Sequence, residues 1–419
     1  MKKTLYSLVA IASGVFAFTS CEDQLDIEQK GAIAIENFYK TDADCEKALA
    51  TAYEYFQVET MGRTTFGPAI YTPNKVMGND AGDDVNYGGG NYGDHEFGGT
   101  VDEFRYKHTP EAIDSMYKGL YSSIFRCNLV ISYFGEKSDA TAFMKQAIAE
   151  CRVLRAYDYF LLACYWGQPP FVDGLLPADA LPANNEKSQK EYFQWVAQEC
   201  QEACANLTTR QGQKDKAGAV RVTTGFAQAL AGKALMFAAD YSKDGDKADL
   251  YSKAKAELEK VIKSGNYDLV PGTEFANIFH VEGDCSPEKV FEMNMEYNAA
   301  VGAWSFGSGM GHMNHSTWME ADCFNWRAGN FVTNPAKLYC GGEDGWGSIG
   351  VTEWFGEAFW KNEGHSYRFD ATLMHIDDAV YHTSKVPGFD YGDASLNSRT
   401  EDDLKKSKDV GISDITNGL

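Results

Sequence analysis

Over residues 42–210 the apolar residues recur at steps of three and four, and that period commits the stretch to paired helices. An amphipathic helix buries one stripe and cannot stand alone in water, so several in succession must pack on one another. Thr41-Asp42 can cap a helix to about Phe56, with Ala48, Leu49, Ala52, Tyr53 and Phe56 on one face. Pro110-Glu111 opens a second helix, whose stripe is Met116, Leu120, Ile124, Cys127 and Val130-Ile131. A long helix over 139–166 stops at Gly167, and Pro169-Pro170 forbid its continuation. A connector rich in Pro and Ala leads to a fourth amphipathic helix over 187–206.

Residues 224–241 and 247–264 then read as an antiparallel helix pair. The first buries Phe226, Leu230, Ala234 and Phe237; the second buries Leu250, Ala254, Leu258 and Val261 and ends at Gly265. Small residues at the crossing points give the pair the look of a tetratricopeptide repeat. Such units bury their faces only by stacking, so the earlier helices are expected to form further pairs. The fold class is mainly α: stacked tetratricopeptide-like helix pairs overlaid by long irregular ligand-binding loops. The scaffold comprises 41–56, 110–166 and 187–264, in one domain over 31–419.

The first twenty residues read as an address. Lys2 and Lys3 precede an apolar run from Leu5 to Phe18, too short to span a bilayer. Phe18-Thr19-Ser20-Cys21 follows the pattern of a bacterial lipobox, in which Cys21 is acylated and becomes the mature N-terminus. Residues 21–30 would then be a lipidated tether. No later run of 18 apolar residues occurs, which leaves lipid as the membrane attachment. The net charge of −22 argues against nucleic acid as a partner, because phosphate binding needs a basic surface. Nine cysteines remain after Cys21, an odd number with no CxxC, which is a poor disulfide framework and a poor zinc signature. They are expected to be mostly buried thiols.

Motifs for chemistry are weak. Gly88, Gly90 and Gly93 satisfy GxGxxG, but no apolar strand is expected before them and no helix after. Gly232-Lys233 lies inside a helix and lacks the earlier glycine of a phosphate-binding loop. His312 and His315 form HxxH in a Gly-rich stretch without the glutamate and helix of a zinc protease. The acids at 80–84 and the run Asp244-Gly-Asp246 do not follow a calcium-loop pattern and read as solvated turns. No GxSxG elbow is present, and no cysteine sits in a recognisable catalytic context. No cofactor and no metal ligand set emerge.

Two long segments differ from the helices in composition. Residues 62–109 hold runs of Asp, Gly, Asn and Tyr; residues 296–364 carry Trp304, Trp318, Trp326, Trp346, Trp354 and Trp360 among Gly, Asn and Asp. They are too long to be connectors and too aromatic to be linkers, so both are candidate functional loops. A sugar presents a face of C–H bonds ringed by hydroxyls. A protein holds it by stacking Trp or Tyr on that face and placing amides, carboxylates or Arg at the rim. Candidate ligand residues are Tyr87, Asn91, Tyr92 and Asp94 in the first segment, and Trp304, Trp318, Trp326, Arg327 and Asn330 in the second. For any one of these aromatics, the competing reading is that it packs its loop onto the scaffold.

With these residues in view, the chain resembles the SusD/RagB family of outer-membrane nutrient-binding lipoproteins. The resemblance starts at Cys21 with Leu25-Asp26 and runs through Phe38 and Ala48-Leu49-Ala52-Tyr53. It continues through the run from Met116 to Ile124 and Asn128. Its most specific stretch is Glu150, Leu154-Arg155-Ala156-Tyr157, Tyr159-Phe160, Tyr165, Gly167 and Pro169-Pro170. The helix pair, Tyr267, Leu269 and Glu288-Lys-Val-Phe291 follow in the family's order. The family's Asp-x-Arg is Ser366-Tyr367-Arg368 here, and its late "AE..L" helix is missing before Leu419, so a shortened chain is expected.

The resemblance implies no enzymatic chemistry. It implies capture of a glycan on the cell exterior by a protein lipid-anchored in the outer membrane. The ligand would pass to a TonB-dependent transporter of the SusC type. By position, the sugar loops would be about 75–105 and 296–330. Capture of peptides or glycoprotein fragments by the same fold stays open as the alternative, and a glycoside hydrolase or a structural scaffold stands behind it.

Overall fold

The computed structural model describes residues 38–61, 78, 81–87, 96–105, 111–177, 179–180, 187–294 and 349–373. The first helix, α1 (Asp42–Tyr55), begins with a capping box. Thr41 accepts from the Asp44 backbone N–H, and the Asp44 carboxylate accepts from the Thr41 N–H at 2.8 Å. Such a cap contributes about 1 kcal/mol. Cys45, Ala48, Leu49 and Ala52 form its buried face, and a π-helical turn, Phe56–Met61, continues it.

A short strand β1 (Val85–Tyr87) and helix α2 (Glu96–Asp102) precede two 25-residue helices, α3 (Glu111–Gly135) and α4 (Ala142–Trp166). The α4 helix starts later than its apolar pattern, at the Thr141 cap, and ends at Gly167, whose φ of 72° favours glycine. Next come α5 (Gln189–Ala203), the single turn α6 (Lys216–Ala219), α7 (Thr224–Asp240) and α8 (Lys247–Lys263). Two 3-10 segments, Gly272–Phe279 and Val281–Gly283, follow. Strand β2 (Ile349–Val351) and helices α9 (Glu353–Glu363) and α10 (Tyr367–Thr372) complete the described chain.

The helices pack in chain order, α3 on α4, α4 on α5, α5 on α7 and α7 on α8, with α1 laid across α3 and α4. This is the tetratricopeptide-like stack that the apolar spacing predicts. One apolar core runs through it, from Cys45 and Leu120 through Leu154 and Phe193 to Leu230 and Ala254. Among the described residues, no helix is long and apolar enough to cross a membrane. The seven described cysteines are free; five are buried, and burial pushes the Cys45 thiol up to about 12, which makes it unreactive.

Gly232, set aside as a phosphate-loop residue, has a packing role. A Cβ there would lie 2.6 Å from Leu258 Cγ and 3.2 Å from the Ala254 carbonyl oxygen. Its absence lets α7 and α8 cross closely. Gly232→Ala is expected to destabilise the protein by about 1–3 kcal/mol through overpacking. An unshifted urea midpoint would show that this crossing tolerates a methyl group.

Polar clamps tie the stack together. Glu150 on α4, fully buried, accepts from Tyr53 Oη at 2.7 Å, Gln146 at 2.8 Å and Arg221 Nε at 2.9 Å. Arg155 donates to Asn128 of α3 and to the Asp173 carbonyl at 2.7 Å each, and to Glu199 of α5 at 2.8 Å. Tyr159 Oη accepts from the Val172 N–H at 2.7 Å and donates to its carbonyl at 2.9 Å, pinning the connector after Gly167. Buried polar groups that each reach two or more elements fix one arrangement of helices rather than many.

Candidate functional site

The two segments singled out on composition meet in the structure. Strands β1 and β2 pair antiparallel, Val85 opposite Val351, Asn86 opposite Gly350 and Tyr87 opposite Ile349. The pairing extends beyond the strands. The Thr352 N–H donates to the Asp84 carbonyl at 2.9 Å and its hydroxyl to the Asp83 carbonyl at 3.0 Å. Three-residue strands are weak alone, so this clasp depends on the added side-chain bonds and on burial of Val351.

Beside the clasp lies a cleft of about 390 Å3, lined by Gly82, Asp83, Val85, Asp102, Thr352 and Trp354. The Trp354 indole N–H donates to the Asp83 carbonyl at 3.1 Å, yet 58% of the residue remains exposed. An aromatic side chain fixed through its one polar atom and left in solvent is a preorganised stacking surface. Trp360, six residues further along α9, behaves otherwise. Its ring packs edge-on against His365 at 4.8 Å and near Phe369 at 5.1 Å. Of these two loop tryptophans, one is therefore presented and one is packing.

Both segments are rooted in the scaffold by buried polar groups. At the start of the first, Thr60 on the π-helical turn donates to Asp158 Oδ1 of α4 at 2.6 Å. Burial pushes the Asp158 carboxyl up to about 8, and the Thr60 and Ser123 hydroxyls offset only part of that. Before the second, Arg210 is almost wholly buried and donates to the carbonyls of Lys289 at 2.7 Å, Cys285 at 2.9 Å and Gln213 at 3.0 Å. The Glu292 N–H donates to the Ala219 carbonyl at 2.9 Å, holding the chain as it leaves the scaffold.

Several expectations need correction. The segment 296–364 is not irregular throughout: it contains β2 and α9, where Phe359 meets Phe369 at 5.1 Å. The GxGxxG glycines do follow a strand, β1, and precede a helix, α2, contrary to expectation. Among the described residues β1 pairs with β2 alone, and antiparallel, so the unit is not the parallel crossover that a dinucleotide needs. The Asp244 and Asp246 turn is occupied by Lys190, whose Nζ lies 2.9 Å from Asp246 and pairs with Asp244 too. Among the described residues, no group of three or more His, Cys, Asp or Glu is placed to hold a metal ion.

Of the ligand residues expected from the sequence, Tyr87 has its backbone in β1. Asn91, Tyr92, Asp94, Trp304, Trp318, Trp326, Arg327 and Asn330 lie outside the described residues, as does Cys21. Asp83, Asp102, Thr352 and Trp354 were not among the expected ligands. Trp354 was visible as one of six tryptophans, and Asp83 as part of an acidic turn. Nothing local in the sequence marks that they meet.

No family model matches the chain. A SusD-like protein of Formosa agariphila is 28% identical over 204 residues, 48% of this chain and 37% of that protein. A SusD-like protein of Bacteroides ovatus is 24% identical over 306 residues, 71% of this chain and 50% of that protein. The chain thus spans half or less of the length of these relatives. In fold it is similar to surface glycan-binding protein A of Bacteroides thetaiotaomicron, solved in complex with laminarihexaose. The TM-score is 0.63 at 22% identity, over 82% of this chain and 65% of that one.

Proposed function

From a chain that is SusD-like in sequence and fold, we propose a cell-surface lipoprotein that captures glycan and delivers it to a TonB-dependent transporter of the SusC type. The observation that carries the glycan reading is the clasp: two loop segments joined by β1 and β2, with Trp354 fixed and exposed over a polar cleft. Stacking on the indole and hydrogen bonds to the Asp83, Asp102 and Thr352 side chains suit a pyranose ring. Trp318, Trp326, Arg327 and Asn330, with Tyr87, Asn91, Tyr92, Asp94 and Trp304, would extend the same surface along a longer oligosaccharide. Acylation of Cys21 would anchor the protein in the outer membrane, facing outward. Binding and hand-over need no reaction, so no residue is given a catalytic role.

Affinity electrophoresis through gels containing single polysaccharides tests this, with peptides and mucin glycans in parallel. One or more glycans should retard the protein. Trp354→Ala, and separately Trp318→Ala or Trp326→Ala, should weaken binding by about 1–3 kcal/mol with melting unchanged. Retardation by peptides alone would move the reading to peptide capture. Early melting with normal binding would make these tryptophans core residues.

A further inference from the structure

We infer that Phe104 is a second stacking platform of the cleft, meeting the sugar ring next to the one that lies on Trp354. The inference rests on the glycan reading and makes its ligand a chain of two or more rings. Helix α2 packs on β1, and its last residue, Asp102, lines the cleft. Phe104 follows two positions later, so its Cα lies within about 7.6 Å of that of Asp102. Three backbone bonds close the chain there. The Glu103 N–H donates to the Gly99 carbonyl at 3.1 Å, the Phe104 N–H to that of Val101 at 3.0 Å, and the Arg105 N–H to that of Thr100 at 2.8 Å. This pattern ends a helix through one residue of left-handed backbone, and that residue is Phe104, with a φ of 52°. Glycine is the usual occupant, because a Cβ in that conformation crowds the carbonyl that follows.

The other described residue that takes such a backbone without being glycine is Cys285, with a φ of 59°. It is buried, its N–H donates to Glu292 Oε2 at 2.6 Å and its carbonyl accepts from Arg210 at 2.9 Å, so its surroundings hold the strain. Phe104 instead keeps 66% of its surface in solvent. Burial therefore offsets neither the strain nor the exposure of its ring, and strain of this kind gathers at ligand sites. A phenyl ring on a pinned backbone offers contact area at little entropic cost, with two side-chain torsions to fix. Beside a cleft where Trp354 is already presented, that area suits the C–H face of a neighbouring pyranose.

Affinity electrophoresis through starch, xylan, mannan and pectin gels finds a polysaccharide that retards the wild-type protein, and titration with its oligosaccharides compares the variants. Phe104→Gly should weaken binding by about three- to tenfold, the worth of one ring contact. Its thermal midpoint should stay level or rise, because glycine relieves the left-handed backbone. Phe104→Trp should bind within about twofold of wild type or more tightly, since it keeps a flat apolar face. Binding by Phe104→Gly as tight as that of wild type would overturn the inference. So would a midpoint lowered by several degrees in that variant, which would make Phe104 a packing residue. A loss in Phe104→Trp equal to that in Phe104→Gly would overturn it too, because stacking tolerates the larger ring. No retardation of the wild-type protein by any of these polysaccharides would overturn the glycan reading itself, and the second platform with it.

Discussion

Asp158→Asn is expected to raise the thermal midpoint at neutral pH and to flatten the dependence of stability on pH. Asp158 is fully buried on α4, with Oδ1 accepting from Thr60, while Oδ2 and the nearby Ser123 hydroxyl lack a well-formed partner. Burial holds its carboxyl at about 8, against an ordinary value of 3.8. The folded protein therefore keeps a proton that the unfolded chain releases near pH 4. Stability falls as pH rises between those two values and is level above the higher one. By pH 7 about three units of that window have been crossed, roughly 4 kcal/mol of lost stability. An asparagine side chain is neutral at every pH, still accepts from Thr60 and brings a donor toward Ser123. The variant should be about 2–4 kcal/mol more stable at pH 7 and nearly equal to wild type at pH 4. Chemical denaturation at both values checks this. Equal stability at pH 7 would mean that the carboxyl ionises without cost. Because Thr60 sits where the first loop segment leaves the scaffold, the same titration governs how firmly that segment is rooted.

What could be read in advance, and what could not, divides by the range of the forces. Thr41, Gly167 and Gly265 mark helix ends through bonds and dihedrals within one turn, so they were legible as caps. The run from Glu150 to Pro170, which carries the resemblance, proves to be the polar hub of the stack. Glu150, Arg155 and Tyr159 each hold another helix or the connector in place. Its residue types are fixed by those partners, which is why it was specific. Helix α9 was missed because Trp, Gly and Asn around it looked like loop, although Phe355 and Phe359 keep a helical step and Phe369 packs against Phe359. The clasp was not legible at all. Val85 and Val351 find one another across 266 positions, and strands of three residues have no period to detect. The same distance hid Trp354, whose role is set by a carbonyl of Asp83.

Glu199→Ala should be the more damaging change, lowering stability by about 3–5 kcal/mol. Glu199 lies on α5 and takes Arg152 Nε at 3.0 Å, a second Arg152 nitrogen at 2.7 Å and Arg155 at 2.8 Å. Burial pushes its carboxyl up, but the two guanidinium groups outweigh that and hold it below the usual range. The stabilisation is therefore present above its unfolded value and is lost as pH falls through the lower folded one, so acid should weaken this link first. Removing the carboxylate leaves Arg155, only 5% exposed at its side chain, without its countercharge between α3, α4 and α5. Replacing Arg155 and Glu199 together with methionine should cost less than Glu199→Ala, because no unpaired charge is then left inside. Arg152 keeps Glu202 in either case, at 2.6 Å. Urea denaturation of the two variants at pH 7 separates the possibilities. A double variant weaker than the single one would show that the ion pair itself, and not the avoidance of a stranded charge, holds α5 to the stack. With Asp158 favouring acid and Glu199 opposing it, the wild-type protein should be most stable in mildly acidic solution, where Glu199 is ionised and Asp158 is not.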